Sequence, residues 1–302
     1  MKKQYDIALL GPVSRDYNIE PDGSCEVEIG GAIVYSPFAA KAAGADCIAL
    51  VKGGTDVPDV RKRFDGFSGD LLILPSAAMT SIENRYLDIS HEERISSLKS
   101  QADPFVKEDL EGFDAAIYHL GGLVYGDFSD SFIRMVAARG DVALDVQCLL
   151  RHGEGVGQAM TYQDWETKKD ILPQVKYLKA DAKEARILTG TDARHAGAKQ
   201  LYDWGAQEVF ISFHNQMLVY DGEAYYECDY TPISLDGRTG RGDTVFASYL
   251  AYRMRHDIAT SLLYATALVV LKMTQTGPYL GDHAQAAAYA DEHLKVRVEM
   301  GE

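Results

Sequence analysis

The sequence predicts an α/β fold over residues 1–302: a single domain whose mainly parallel sheet carries helices on both faces, with a small β lid beside it. Three observations carry this prediction. Short aliphatic or β-branched runs recur along the chain, segments of helical periodicity separate many of them, and two polar, alternating stretches interrupt the rhythm. Strand–helix alternation favours a parallel sheet covered on both sides, whereas polar alternation around a tight turn favours an antiparallel flap.

The first strand is "YDIALL" (5–10), and the polar run "SRDYNIEPDGSCEVEI" (14–29) after it contains a Pro-Asp-Gly turn. "GAIVYSPFAAKAAGA" (31–45) has helical spacing and ends at a small-residue stop, followed by the strands "CIALV" (47–51) and "LLIL" (71–74). Residues 79–90, "MTSIENRYLDIS", alternate like 14–29 and supply the second half of the lid. The strands "AAIYHL" (115–120) and "VALDV" (142–146) flank a helix at 129–140, and "VKYLKA" (175–180) precedes helices at 182–190 and 193–206. Several of these helices end at a glycine, as a C-cap does. After the strand "EVFIS" (208–212), the tyrosines of "YYECDY" (225–230) read as a hairpin packed on the sheet, and "IATSLLYATALVVLKM" (258–273) as a buried helix apolar nearly all round.

Composition narrows the function. Thirty Lys and Arg face 45 Asp and Glu, a net charge of −15, which opposes nucleic acid as a partner but leaves room for a nucleotide held by backbone N–H groups. No apolar run reaches membrane-spanning length, and the apolar part of the N-terminal segment is too short for a signal sequence, so the expected location is the cytoplasm. Cys25, Cys47, Cys148 and Cys228 lie far apart without a zinc-type partner spacing, which predicts reduced thiols.

The chemistry concentrates in "DGRTGRGDTVFASYLAYRM" (236–254). After Asp243, apolar residues at 245, 246, 249, 250 and 254 follow a helical period, so a helix starts near Gly242 with Asp243 in its first turn. Glycines at 240 and 242 allow close approach, and the free N–H groups of a helix start form an anion site. A carboxylate there is suited to taking a proton beside a transferring phosphoryl group, or simply to stabilising the helix terminus.

"GRTGRGDTVFASYL" resembles the signature of the ribokinase/PfkB carbohydrate kinase family. Further resemblance lies in "DIALLGPVSRD", in "GGAIVYSPFAAKAAGADCIALVKGGTD" and in "YLKADAKEARILTG". The resemblance implies a ribokinase-like three-layer fold, ATP as donor and Mg²⁺ as cofactor. It makes Asp243 the general base and Gly240, Arg241 and Gly242 the anion hole. It implies that Asp16, Gly31 and Tyr35 bind substrate, and that Glu184 organises Mg²⁺ through water. "YHLGGLVYGD" (118–127) and "LDVQCLLR" (144–151) are most similar to the myo-inositol kinase branch, so a sugar or polyol of that kind is the expected substrate.

The chain departs from the family pattern at four places. Arg241 replaces a common alanine, Tyr35 stands where an asparagine is usual, Asp181 replaces the asparagine of N-x-x-E, and "ISFHNQM" (211–217) lacks the usual T-x-G before the nucleotide-binding loop. Read without the resemblance, Asp16 is a solvated loop acid, Asp181 with Glu184 a capping box and "HEER" (91–94) an exposed charged turn, while Arg85 and Arg94 beside the lid either form a solvated face or reach a ligand. Two other function classes compete: a catalytically silent sugar-binding relative, and a dinucleotide-dependent oxidoreductase, which the absence of G-x-G-x-x-G after the first strand disfavours. The lid has two potential uses, closing on its own domain or pairing with that of a second copy in a homodimer.

Overall fold

In the computed structural model, which describes residues 2–54, 58–88, 94–153 and 158–301, the seven aliphatic runs become seven parallel strands of one ten-stranded sheet. Their order across the sheet is Glu208–Phe213, Tyr177–Asp181, Asp141–Asp145, Phe113–Leu120, Lys3–Pro12, Cys47–Lys52 and Asp70–Leu74. Beyond Glu208–Phe213, the sheet continues antiparallel through Gln216–Tyr220, Ala224–Asp229 and Val296–Met300. The hairpin expected at 225–230 is therefore part of the main sheet. The last strand, 296–300, has only Val296 partly covered, with Val298 and Met300 exposed, and gave little signal in sequence.

Strand periodicity divides the core in two. Along the first strand, Ile7 and Leu9 enter one apolar cluster, while Ala8 and Leu10 enter the other. The first cluster is covered by helices Ser36–Ala42, Arg241–Arg253, Ile258–Lys272 and His283–His293. The second lies under Asp130–Ala137, Ala182–Thr189 and Arg194–Asp203. Ile258–Lys272 is buried along most of its length, since it packs on the sheet and on two neighbouring helices. No helix among the described residues is long and apolar enough to cross a membrane. All four cysteines are free, with Cys25 exposed and the others buried.

The polar segments form a second sheet, ordered Cys25–Gly30, Ser14–Ile19, Thr80–Tyr86, Arg94–Ser100. It differs from the antiparallel flap expected from 14–29 and 79–90. Ser14–Ile19 and Thr80–Tyr86 pair in parallel, and a fourth strand beyond residue 90 completes the sheet. The parallel pairing follows from the main sheet, where the strands at 3–12 and 70–74 run in the same direction and each leads on into the smaller sheet. Ile89 and Ser90, like Asp56 of the "GGTD" segment and residues 91–93 of "HEER", lie outside the described residues.

Candidate active site

The site gathers where the parallel strands end, the position at which a doubly covered α/β sheet leaves a crevice. A cleft of about 700 Å³ is lined by Gly31, Tyr35, Gly240 and Asp243, all singled out in sequence, together with Gln147, Arg151, Arg94, Tyr86, Arg238 and others. Arg94 is exposed and lines this cleft. Its neighbour in the sequence argument, Arg85, is exposed and paired with Glu83.

The helix Arg241–Arg253 begins at Gly240, whose left-handed backbone (φ 77°) suits a glycine. A Cβ there would also lie 2.3 Å from the ring of Tyr35, so Tyr35 packs directly on the start of the helix. The first intrahelical bond runs from the Thr244 N–H to the Gly240 carbonyl, which leaves the N–H groups of Gly242 and Asp243 in the unpaired first turn. Val245, Phe246, Tyr249 and Leu250 bury the other side of this helix and hold it in place. Burial of Phe246 alone contributes roughly 2–3 kcal/mol relative to exposure.

Burial pushes the Asp243 carboxyl up to about 6; Asp145 adds to the rise, while the ammonium groups of Lys179 and Lys272 oppose it. Lys179 was not singled out in sequence. It lies on the strand Tyr177–Asp181 and donates to Asp145 Oδ2 at 2.6 Å in a fully enclosed ion pair. A Cβ on Gly242 would stand 3.3 Å from Lys179 Nζ, so this ammonium sits directly against the first turn of the helix. A lysine between apolar neighbours in "YLKAD" is the signal that could have found it, because buried lysines require a partner.

Asp16 is not in a loop. It lies on the strand Ser14–Ile19, opposite Glu28 and Ile82, because the chain re-enters a sheet almost at once after Pro12. Burial raises its pKa, against a hydrogen bond from Ser14 and the charges of Arg151 and Arg94. Among the described residues, its buried Oδ1 has no hydrogen-bond partner. An unmade buried acceptor is costly, and a ligand hydroxyl would satisfy it. Gly30, not only Gly31, makes room for this carboxylate, since a Cβ on Gly30 would lie 2.4 Å from Asp16 Oδ2. Gly31 has φ 104°, and its own Cβ would meet the Pro12 carbonyl at 2.7 Å.

Tyr35 is buried, its hydroxyl pushed up to about 12 by desolvation. One face of its ring lies against Gly240, and Lys272 Nζ stands 4.9 Å from its centroid. The Arg241 guanidinium leaves the cleft and donates to the His214 carbonyl at 2.6 Å. The same carbonyl accepts from the Tyr230 hydroxyl at 2.8 Å, so the turn between strands 208–213 and 216–220 is tied to the start of the helix Arg241–Arg253.

Glu184 forms the capping box with Asp181 that the spacing suggested: Glu184 N–H donates to Asp181 Oδ1 at 2.8 Å, and Asp181 N–H donates to Glu184 Oε2 at 2.7 Å. It is also buried, with its carboxyl raised by desolvation and by Asp181 and Asp145. Among the described residues, no three His, Cys, Asp or Glu side chains converge as direct ligands of one metal ion. Around Lys179, however, Asp145, Glu184 and Asp243 supply more negative than positive charge. That donor chemistry fits a hydrated divalent cation held mainly by the phosphates of a substrate.

His119, in the "YHLGG" stretch, is buried edge-on against Phe246 at 5.3 Å. Desolvation, aided by the charge of Lys179, lowers it to about 3 and keeps the imidazole neutral. Asp127 closes the same segment by accepting from the N–H groups of Leu123 and Val124, which places Leu123 in the cleft wall.

The fold and cleft define an α/β protein with a half-buried, desolvated carboxylate in the first turn of one helix. No protein-family profile matches the chain. A pyrophosphate-dependent kinase in the ribokinase family is 30% identical, with a TM-score of 0.82 over 90% of this chain and 96% of that one. A pyrophosphate-dependent myo-inositol-1 kinase, converted by mutation into a myo-inositol-3 kinase, is 29% identical, with a TM-score of 0.83 over 95% and 99%. A curated relative, the cytidine kinase of Thermococcus kodakarensis, is 26% identical over 262 residues, 82% of this chain and 87% of its own length. The chain belongs to the ribokinase family of kinases, as its motifs implied.

Proposed function

We propose that the protein transfers a phosphoryl group to a hydroxyl of a small cyclic polyol, with myo-inositol ahead of ribose and Asp243 as general base. The observation that carries this reading is the desolvated Asp243 carboxyl in the wall of the cleft, in the first turn of a helix whose N–H groups can hold the transferring group. The acceptor hydroxyl gives its proton to Asp243 as its oxygen attacks phosphorus in line, and the N–H groups of Gly242 and Asp243 take up the charge on the phosphoryl oxygens. Asp16 Oδ1 accepts from a second hydroxyl and orients the ring, with Arg94, Arg151 and Gln147 as further polar groups in the wall. The smaller sheet, which carries Asp16, Tyr86 and Arg94, acts as the lid over the acceptor. Tyr35 supports a polyol over ribose, because a large ring with one hydroxyl leaves fewer polar partners than an asparagine would.

As donor we favour inorganic pyrophosphate over the ATP expected from the resemblance. Arg241 and Tyr230 fasten the 213–216 turn, the segment to which the resemblance assigns nucleotide contacts. A short donor needs no adenosine path past that turn, and the two solved kinases of highest identity described above are pyrophosphate-dependent. Mg²⁺, when bound, would neutralise charge on the donor phosphates, and Glu184 would reach it through water.

The test is a matrix of purified protein with myo-inositol, ribose or cytidine as acceptor and pyrophosphate or ATP as donor, with Mg²⁺, separating phosphorylated products by chromatography. A clear preference for ribose or cytidine overturns the acceptor assignment, and turnover with ATP alone overturns the donor assignment; either result leaves the role of Asp243 intact. A protein that binds myo-inositol yet transfers nothing from either donor is the silent relative.

Two expectations follow from the groups in the cleft. Asp243 works as a base only when ionised, and its carboxyl is raised to about 6. Thus log kcat/KM should climb with slope near one below that pH and level off above it. A profile flat from pH 5 to 8 would remove Asp243 from the rate equation. Asp16→Asn should raise the acceptor KM about 10-fold or more with little change in donor KM, since the hydroxyl loses a charged acceptor. An unchanged acceptor KM would place Asp16 outside the site.

A further inference from the structure

Lys272 occupies the last turn of the apolar helix Ile258–Lys272 and is fully buried. Among the described residues, no carboxylate lies within ion-pair distance of it, unlike the buried lysines Lys52, Lys168 and Lys179, which pair with Asp109, Asp164 and Asp145. Its ammonium donates instead to two main-chain carbonyls, that of Gly237 at 2.5 Å and that of Thr239. The Tyr35 ring takes the remaining side. Three N–H donors thus meet two carbonyls and one π face.

Those two carbonyls belong to the loop that leads into the anion site. Its other end is anchored to the same helix terminus, where Gly237 N–H donates to the Met273 carbonyl at 2.9 Å. A Cβ on Gly237 would stand 1.9 Å from the Gln275 carbonyl, so loop and helix end are in direct contact. Carbonyls two residues apart that turn inward onto one cation expose the opposite edge of the loop to the cleft, where Arg238, Thr239 and Gly240 line the wall. A cation on the Thr239 carbonyl also polarises the shared peptide group and strengthens the Gly240 N–H as a donor. Burial lowers the Lys272 ammonium to about 8, with Asp243 acting in the opposite direction.

We infer that Lys272 is a positioning residue: its ammonium is a tethered monovalent cation that holds the 237–240 loop in its anion-binding shape and so sets donor affinity. The inference rests on the kinase reading for its kinetic form, but loop shape and anion affinity can be measured without turnover.

Lys272→Met keeps the unbranched side chain, one atom shorter, and removes the charge. It should raise the KM of whichever donor the parent uses about 10-fold or more, the effect of losing hydrogen bonds from a charged group, while the acceptor KM stays within about two-fold. Lys272→Ala should show the same deficit and recover in a saturable way with ethylammonium or propylammonium, which fit the vacated space and donate to the carbonyls. Tetramethylammonium, which has no N–H, should not rescue, and the parent should be indifferent to all three.

Calorimetric binding of pyrophosphate and of ATP to parent and Lys272→Met supplies the turnover-independent readout, and circular dichroism checks folding. A parent that binds a donor but transfers nothing defeats the kinase reading alone, and weaker donor binding by Lys272→Met still supports the loop assignment. If Lys272→Ala fails to fold, the Met variant decides. Parental donor affinity in Lys272→Met, or a deficit in folded Lys272→Ala that no alkylammonium relieves, overturns the tethered-cation role.

Discussion

Asp243→Asn should lower kcat by about 10²–10⁴-fold, the usual contribution of a positioned base, with donor and acceptor affinities close to parental. The amide fits the same space and keeps the helix start, but it cannot take the proton of the attacking hydroxyl. Stability should not fall. The folded Asp243 carboxyl is raised from 3.8 to about 6, so the proton is bound more tightly in the fold than in the unfolded chain. Its contribution to stability is therefore present below the unfolded value and is lost as pH rises through about 6. Above that pH the ionised group is a burden that asparagine removes, a gain of up to about 3 kcal/mol for a shift of this size. Urea unfolding at pH 7.5, beside steady-state kinetics, checks both halves. Parental turnover in a folded variant would end the base assignment, and a large loss of stability would attribute the inactivity to unfolding.

Lys179→Met should act in the opposite way, on stability first. Lys179 and Asp145 form a buried pair at 2.6 Å, and Asp145 Oδ1 also accepts from the Gln147 N–H at 3.1 Å. Removing the ammonium leaves a buried carboxylate with one neutral donor. Breaking such a pair from one side costs about 3–5 kcal/mol, because the desolvated charge that remains has nothing to offset it. The double variant Asp145→Asn/Lys179→Met should recover a large part of this loss, as an uncharged pair has far less desolvation to overcome. Lys179 is also the strongest influence holding the Asp243 pKa down. The midpoint of the pH–rate profile should therefore move upward in any folded Lys179→Met protein. Equal unfolding midpoints for parent and single variant would show that the pair carries no weight in the fold.

Much of this architecture is legible along the chain because the local signals agree with the tertiary outcome. Six of the seven aliphatic runs are strands inside the sheet and largely buried on both faces, and the edge strand Asp70–Leu74 keeps the same aliphatic content, so the runs need no partner to be recognised. Asp243 is legible for a similar reason: glycines, a polar loop and a helical apolar period meet within a few residues, and helix starts have their own chemistry. Glu184 with Asp181 is legible as a capping box, and its burial is not, since that depends on which helix covers the strand end.

What required the fold is every contact between distant segments. Asp16 reads as a loop acid because nothing near residue 16 announces that Thr80–Tyr86 will pair beside it in parallel. That register is set by two strands of the main sheet entering a second sheet in the same direction. Arg94 reads as a surface charge until the smaller sheet brings it to the cleft that also holds Arg151. Lys272 reads as the polar end of an apolar helix, and only loop closure across 33 residues shows its ammonium beneath the Thr239 carbonyl. The sequence by itself determined the layers, the strand runs and the helix that carries Asp243, because backbone periodicity and burial are local. Only the tertiary structure decided which charges share the cleft, because desolvation and Coulomb interaction depend on distance in space rather than separation along the chain.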